Sequence, residues 1–110
     1  PLYSSAASDV YKRQALNGHV MINVIIDEDD APLGDPWVEI MGLPETGRSR
    51  APLVDVLEED LAQFMGRAGD KTLADDDKLE QGLRRVARQS AQTEIGKRPE
   101  VTVVISRLTE

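Results

Sequence analysis

The chain has 110 residues, of which 40% are hydrophobic and 30% are charged, and its formal net charge is −7 at pH 7. This length suits one small domain, and no apolar run approaches the roughly 18 residues that a membrane-spanning helix needs. Cysteine is absent, which excludes disulfide scaffolds, thiolate metal sites and cysteine nucleophiles. We therefore expect a cytoplasmic protein without a membrane partner.

The first 14 residues are predicted not to be natural protein sequence. The segment from Ser4 to Gln14, SSAASDVYKRQ, can be back-translated in a single frame into a transposase sequencing adaptor. We therefore exclude residues 1–14 from fold reasoning and assign one domain to residues 15–110. The alternative is a polar N-terminal arm of the natural protein. If the adaptor interpretation is right, the reading frame is a fragment and the natural protein extends upstream of Ala15.

The acidic charge is distributed unevenly along the chain. Residues 15–77 contain 15 acidic and 4 basic residues, whereas residues 78–110 contain 4 acidic and 7 basic residues. This asymmetry predicts two surfaces of opposite charge rather than one uniformly acidic surface.

Two strands are predicted first. Residues 20–26 alternate weakly and are rich in β-branched side chains, which indicates a largely buried strand. An acidic turn and a proline-containing connection at 27–36 separate it from a second strand at 37–41. Residues 42–52 contain three glycine or proline breakers after Gly42 and are predicted to form a loop, whose length suggests mobility.

The first helix is predicted to follow this loop. Asp55 is the expected N-cap, because an aspartate side chain accepts hydrogen bonds from the unpaired N–H groups of a first turn. Gly69 is expected to end the helix. The apolar face consists of residues at helical spacing, namely Leu57, Leu61, Phe64, Met65 and Ala68.

The second helix is predicted to begin at Asp75 or Asp76 and to stop at Gly96. Its buried stripe combines Leu79, Leu83, Val86, Ala87, Ser90 and Ile95. Residues 100–108 then alternate, which predicts a third strand with Val101, Val103 and Ile105 on its buried side.

These elements predict an α+β two-layer sandwich in the order strand, strand, helix, helix, strand. The three-stranded mixed sheet carries both helices on one face. We expect the first strand in the centre, in the order 2-1-3, antiparallel to the second strand and parallel to the third. The expected core comprises Val20, Ile22, Val24, Ile26, Val38, Ile40, Leu57, Leu61, Phe64, Met65, Leu79, Leu83, Val86, Ile95, Val101, Val103 and Ile105.

No catalytic or metal-binding site is predicted in this chain. The only histidine, His19, is expected to lie partly in solvent at the start of the first strand, and a lone imidazole does not build a two-metal nuclease site. The acidic clusters at 27–30 and 75–77 lack the ligand spacing of a calcium loop and are interpreted as a solvated turn and a helix start. A small hydrolase that uses these clusters is the least favoured function.

Five basic residues form a candidate site for the phosphates of a nucleic acid. They suit contact with a phosphate backbone without base readout. The alternative is an ordinary solvated helix face, on which Glu80 pairs with Arg84 and the last two basic residues complement the helix C-terminus. The five residues are Arg84, Arg85, Arg88, Lys97 and Arg98.

The sheet face turned away from the helices is a candidate protein interface. Strand alternation sends large apolar side chains to this face, with few charges beyond Glu39. Such a patch is typical of an interaction surface, here for self-association or for docking to another part of the same protein. The alternative is a modestly apolar sheet face without a partner. The candidate interface residues are Met21, Ile25, Trp37, Met41 and Val104.

Two segments resemble the C-terminal domain of bacterial ribonuclease J. They are GHVMINVIIDEDDAPLGDPWVEIMGLP at 18–44 and GKRPEVTVVISRL at 96–108. The shared pattern is an apolar strand that opens on glycine, an acidic turn, a strand that closes on Gly-Leu-Pro, two helices, then Gly-Lys-Arg-Pro and a Val-rich strand. The resemblance covers nearly all of 18–108, and its motifs are linked to the fold rather than to catalysis.

The resemblance implies an accessory domain of an enzyme of RNA processing and degradation, joined to its nuclease core by a linker and assisting oligomer assembly. That core is similar to metallo-β-lactamase ribonucleases, with a β-CASP insertion and a two-zinc centre. The HxHxDH motif of such centres is absent here. We therefore expect no catalytic residue and no cofactor in this chain, with zinc only in the parent enzyme.

The expected partners are the parent's own nuclease core, a second copy in a homo-oligomer, and weakly bound RNA. The alternative is a free-standing interaction domain that has the same sandwich fold and no nuclease attached.

Overall fold

A computed structural model describes residues 18–108. The predicted α+β fold and order of elements are confirmed, with one short helix in addition. The predicted non-native segment 1–14 lies outside the described residues, so the domain boundary at residue 15 stays a prediction. The elements are β1 (His19–Ile26), β2 (Trp37–Met41), α1 (Leu53–Arg67), α2 (Asp70–Ala74), α3 (Asp76–Ile95) and β3 (Glu100–Arg107).

The sheet has the predicted order, with β1 between β2 and β3. Strand β1 runs antiparallel to β2, where Ile22 lies opposite Val38, and parallel to β3, where Ile22 lies opposite Val103. The helices between β2 and β3 carry the chain back across the sheet, which allows β3 to run parallel to β1.

The core lies between the sheet and the helices. Alternate residues of β1 point into it, and Val20, Ile22, Val24 and Ile26 are between 0 and 3% exposed. Sequence reasoning missed three buried hydrophobic side chains on the helices, Leu53, Leu73 and Ala91. Some predicted core residues are only partly buried, because they lie on edge strands or on the flanks of the helices. These are Ile40, Phe64, Val86, Ile95, Val103 and Ile105.

The start of α1 differs from the prediction. The helix begins directly after Pro52, which makes no side-chain capping bond. The prediction of Asp55 as N-cap was wrong, because this residue already lies in the first turn. Instead, the N–H of Leu53 donates to the carbonyl of Glu45 at 2.7 Å. A loop carbonyl thus satisfies a helical N–H group that a capping side chain usually serves.

The end of α1 also differs from the prediction. Helix α1 stops at Arg67, and the N–H of Ala68 donates to the carbonyl of Phe64. The prediction that Gly69 ends α1 was wrong, since Gly69 has an extended backbone (φ −76°) and is the N-cap of α2. Helix α2 was not predicted; its Leu73 is only 7% exposed and fastens this short turn of helix to the core.

Helix α3 has the predicted ends. The Asp75 carboxylate accepts hydrogen bonds from the N–H groups of Asp77 at 2.9 Å and Lys78 at 3.2 Å. At the other end, Gly96 adopts the left-handed conformation (φ 67°) and donates its N–H to the carbonyl of Gln92. Aspartate is favoured at a helix N-cap, and glycine is favoured in the left-handed conformation that ends a helix.

Three attachments hold the helices to the rest of the domain. The N–H of Val38 on edge strand β2 donates to the Glu58 carboxylate of α1 at 3.0 Å. The loop before α1 is fastened to the end of α3, where Glu94 accepts from the N–H groups of Arg48 through its carbonyl and of Ser49 through its carboxylate.

Arg107, at the end of β3, makes the third attachment. Its guanidinium contacts Asp76 at 2.6 Å and Asp30 at 2.9 Å, and it donates to the carbonyl of Leu73 at 2.6 Å. One side chain therefore joins the turn after β1, the end of α2 and the start of α3 to the last strand.

The helices within 18–108 include none with the length and hydrophobicity of a membrane span.

Candidate interaction surfaces

The outer sheet face is the side of the sheet that carries the odd-numbered residues of β1 and the even-numbered residues of β3. The register places Asn23 at its centre, opposite Trp37 on one side and Val104 on the other. Trp37 and Met41 are each 58% exposed, Ile25 44% and Val104 41%. The structure therefore brings the predicted interface residues onto one face, where Met21 is the only partly buried one.

Two further apolar side chains extend this face and were missed by sequence reasoning. Ile26 bridges Pro32, and the N–H of Leu33 donates to the carbonyl of Ile25, so Leu33 lies beside Ile25. Leu108 continues the outward register of β3 and donates its N–H to Ile26. All the large hydrophobic side chains that are exposed between residues 18 and 108 lie on this side: Ile25, Leu33, Trp37, Met41, Val104 and Leu108.

His19 does not have the predicted exposure. It begins β1 on the outer sheet face, yet only 7% of it is exposed. Its Nε2 lies 2.9 Å from the hydroxyl of Thr102, a residue on the same face of the adjacent β3. The ring is thus packed along β3 rather than projecting into solvent, and its Nδ1 has no hydrogen-bond partner within 18–108.

The two acidic clusters have structural roles. The Asp27 carboxylate accepts from the N–H groups of Asp29 at 2.8 Å and Ala31 at 3.0 Å, which closes the turn after β1. Asp30 pairs with Arg107, and Asp75 caps α3. In the part of the chain that the structure describes, no group of three or more histidine, aspartate or glutamate residues is arranged to hold a metal ion.

An open groove of about 370 Å³ lies along the solvent side of α3. It gathers four of the five predicted basic residues and leaves out Lys97. No acidic residue within 18–108 lines it. We call this feature the arginine groove, lined by Gln81, Arg84, Arg85, Arg88, Gln89, Gln92, Thr93 and Arg98.

The arginines of this groove are not equivalent. Arg84 forms an ion pair with Glu80 at 2.7 Å, as the solvated-face alternative predicted. Arg85, Arg88 and Arg98 form no ion pair with any residue in 18–108. Arg85 and Arg98 are exposed and Arg88 is half-buried. Three of the four guanidinium groups are therefore not neutralised by any acidic residue in the described part of the chain.

Sequence reasoning missed the uncharged residues of the groove. Gln81, Gln89 and Gln92 lie on the same side of α3 as Arg85 and Arg88, each four residues from one of these arginines. That spacing is visible in the sequence and marks neighbours on one helical face.

The comparisons with known proteins agree with this fold. Residues 12–108 match the family described as the ribonuclease J C-terminal domain. The chain is also 32% identical over 100 residues to ribonuclease J of Sinorhizobium meliloti (strain Sm2011 / Rm2011 / 2011). That alignment covers 88% of this chain but 17% of the relative, so the chain spans only a small part of that protein. The predicted family is confirmed: the chain belongs to the ribonuclease J C-terminal domain family.

Proposed function

We propose that this chain is an assembly domain of a ribonuclease J-like enzyme in RNA processing and degradation, and that the outer sheet face joins two copies of it. One observation carries the proposal. Six large apolar side chains, each 41 to 58% exposed, are collected on one side of the sheet. Monomeric domains rarely expose a contiguous apolar patch of this kind without using it for binding.

The cost of leaving this face in water supports an interface. Burial of apolar surface is favourable by roughly 25 cal/mol per Å². The opposite face of the same strands is already covered by helices, so the outer face is where further burial is to be gained. Aromatic and methionine side chains such as Trp37 and Met41 are enriched in protein interfaces.

The arrangement of the patch suits pairing with a second copy. Trp37 and Val104 flank Asn23 on opposite sides. A two-fold axis near Asn23 brings the large Trp37 ring of each copy against the smaller Val104 and Ile25 of the other. Most homodimers use such a self-complementary patch. The two central Asn23 amides can hydrogen-bond to each other because each has donors and an acceptor.

We assign the nuclease chemistry to the remainder of the parent enzyme. The resemblance implies a zinc-dependent exo- and endoribonuclease there, in the cytoplasm where RNA is processed. The residues at 18–108 do not fit a zinc centre, because no three metal-ligating side chains converge among them. No catalytic step is therefore assigned to this chain.

Sedimentation of the 110-residue chain over a range of concentrations tests the interface. We expect the wild-type mass to rise toward that of a dimer, and Trp37→Ala and Ile25→Lys to remain monomeric at the same concentrations. Ala74→Lys adds the same charge at an exposed position of α2 and is expected to associate like the wild type. Trp37 is the only tryptophan, so its fluorescence emission should shift to shorter wavelength as the dimer forms.

Equal monomeric mass for all variants, with the oligomer of the intact enzyme unchanged by Ile25→Lys, contradicts the proposal. A monomeric chain whose Ile25→Lys substitution nevertheless disrupts the intact enzyme indicates docking to the nuclease core instead.

A free-standing interaction domain is the rival function. The gene sequence upstream of residue 15 separates the two. An in-frame region with the HxHxDH motif supports the ribonuclease, and a start codon directly before the domain supports the rival.

A further inference from the structure

We propose that the arginine groove binds the sugar-phosphate backbone of single-stranded RNA, with Arg85, Arg88 and Arg98 as its phosphate contacts. This site is separate from the outer sheet face and goes beyond the assembly function, because α3 lies in the helical layer on the opposite side of the sheet.

The charge of the groove is the first argument. The whole chain has a net charge of −7, yet of the eight residues within 18–108 that line the groove, four are arginines and none is acidic. Positive charge concentrated in a concave surface attracts phosphates even when the protein as a whole repels them. The groove is therefore distinct from an ordinary helix surface with mixed charges.

The ion pairs give the second argument. Glu80 pairs with Arg84 at 2.7 Å, which neutralises the charge of that side chain. Arg85, Arg88 and Arg98 have no such acidic partner among the described residues. Guanidinium groups bind phosphate oxygens through two parallel N–H donors, which ammonium groups do not.

The shape of the groove suits a chain of phosphates rather than one isolated anion. From Gln81 to Gln92 the helix advances about 16 Å, at 1.5 Å per residue. Arg85 and Arg88 are neighbours on the helix surface, roughly 5–6 Å apart at their Cβ atoms. Arg98 lies beyond the last helical residue, Ile95, and extends the positive surface past the helix end.

The uncharged lining residues favour RNA over an acidic polypeptide. The amides of Gln81, Gln89 and Gln92 both donate and accept hydrogen bonds, as does the Thr93 hydroxyl. These groups match the 2′-hydroxyls and base edges that a single RNA strand displays, whereas an acidic peptide offers mainly acceptors at its side chains. None of the described residues that line the groove is aromatic, so we expect weak binding without a sequence preference.

Fluorescence anisotropy of the full 110-residue chain with a labelled single-stranded RNA of about 12 nucleotides and mixed sequence tests the site. With three phosphate contacts, we expect the logarithm of the binding constant to fall with the logarithm of salt concentration at a slope of about −2. Arg85→Gln/Arg88→Gln should weaken binding about 10-fold or more at low salt and reduce the slope to about −0.7.

Two substitutions that each remove one positive charge outside the groove serve as controls. Lys71 is exposed on α2, and Lys97 is exposed next to Arg98, but neither lines the groove. Lys71→Gln and Lys97→Gln should change the affinity by less than about 2-fold. If circular dichroism shows that the double variant is unfolded, Arg98→Gln, which lies outside the helices, should still reduce the slope by about 0.7.

Three results overturn the proposal: a wild-type chain that does not bind RNA at low salt, a loss with Lys71→Gln as large as with the double variant, or poly-glutamate binding as tight as RNA binding. The groove variants should leave the sedimentation behaviour unchanged. Failure of this site is therefore distinguishable from failure of the outer-face interface.

Discussion

The two faces of the sheet carry similar side chains in opposite environments. On the inner face, Ile22 and Val24 of β1 are 0 and 3% exposed, whereas on the outer face Ile25 of the same strand is 44% exposed and Val104 of β3 is 41% exposed. The strands alternate, so neighbouring residues point to different sides. The sequence places comparable apolar residues on both sides, and the helices within 18–108 cover only one of them.

This difference separates folding from association. The inner face gains its stability within one chain, because α1 and α3 pack directly on it. No helix within 18–108 covers the outer face, and in the proposed dimer it gains burial from a second copy. Substitutions on the inner face should therefore change the free energy of unfolding of the monomer, and substitutions on the outer face should mainly change association.

The largest expected effect comes from equivalent isoleucines on the two faces. Ile22→Ala should reduce the free energy of unfolding by about 2–5 kcal/mol, because it leaves a cavity in a fully buried site. Ile25→Ala should cost less than half as much. Urea denaturation at low protein concentration measures both, and equal losses would show that the outer face is also buried in the monomer.

A smaller effect is expected where the helical layer is fastened to the sheet. Arg107→Met removes contacts to Asp30, Asp76 and the Leu73 carbonyl, and hydrogen bonds involving charged groups stabilise by about 1.5–3 kcal/mol each when well buried. Because the two carboxylates are more than half exposed, we expect a total loss of about 1–3 kcal/mol.

Arg98→Met is the control for Arg107→Met, since Arg98 is exposed and makes no ion pair within 18–108. It should change stability by no more than about 0.5 kcal/mol. Thermal unfolding compares the two variants. If Arg107→Met loses no more stability than Arg98→Met, Arg107 does not attach the helical layer to the sheet.

Loss of the N-cap of α3 should destabilise the domain less than Arg107→Met and more than a substitution on the outer sheet face. Asp75→Ala removes the acceptor for two N–H groups of the first turn and should cost about 1 kcal/mol. Asp77→Ala removes an acidic residue from the same turn but no capping bond, and should cost about half of that or less. Denaturation midpoints test this pair, and a larger loss at Asp77 would contradict the capping geometry.

The smallest effect is expected on the outer face. Val104→Thr keeps the shape and β-branching of an exposed strand residue, so the monomer should change by less than about 0.5 kcal/mol. Val24→Thr, on the inner face of the neighbouring strand, buries a hydroxyl and should cost about 1–3 kcal/mol. Urea denaturation measures both losses. Equal losses for the two variants would show that the two faces of the sheet do not differ in burial.

The sequence predicted the features that depend on neighbouring residues. Alternation in β1 gave the strand and its inward side, and Asp75 and Gly96 marked the ends of α3 because capping acts within a few residues. The strand order also followed, since β1 and β3 are the most apolar strands and two helices return the chain between them.

Other features depend on distant contacts and were not predictable locally. Helix α1 begins at Leu53 because its N–H meets the Glu45 carbonyl of a loop, which made Asp55 the wrong cap. Helix α2 was missed because five residues are too few for a periodic pattern. Arg107 reaches Asp30, far away in sequence, so its role is visible only in the fold.

The candidate surfaces divide in the same way. The alternation of the strands predicted that Ile25, Trp37 and Val104 lie on one side of the sheet. Leu33 joins them through a backbone bridge after β1, which no local sequence pattern indicates. Charge clustering found the basic residues, whereas the exclusion of Lys97 from the arginine groove depends on the direction of the chain after Gly96.

The parallel pairing of β1 with β3 has a consequence for how the domain folds. His19 and Glu100 are register partners although they are 81 residues apart in sequence, so their pairing closes a loop that contains most of the domain. Contacts of such separation slow folding. A chain shortened before Glu100 leaves one side of β1 unpaired, with its Val and Ile residues along an open edge, and such edges promote aggregation. The last strand thus covers one edge of the first, and a nascent chain lacks this cover until residues 100–107 have been synthesised.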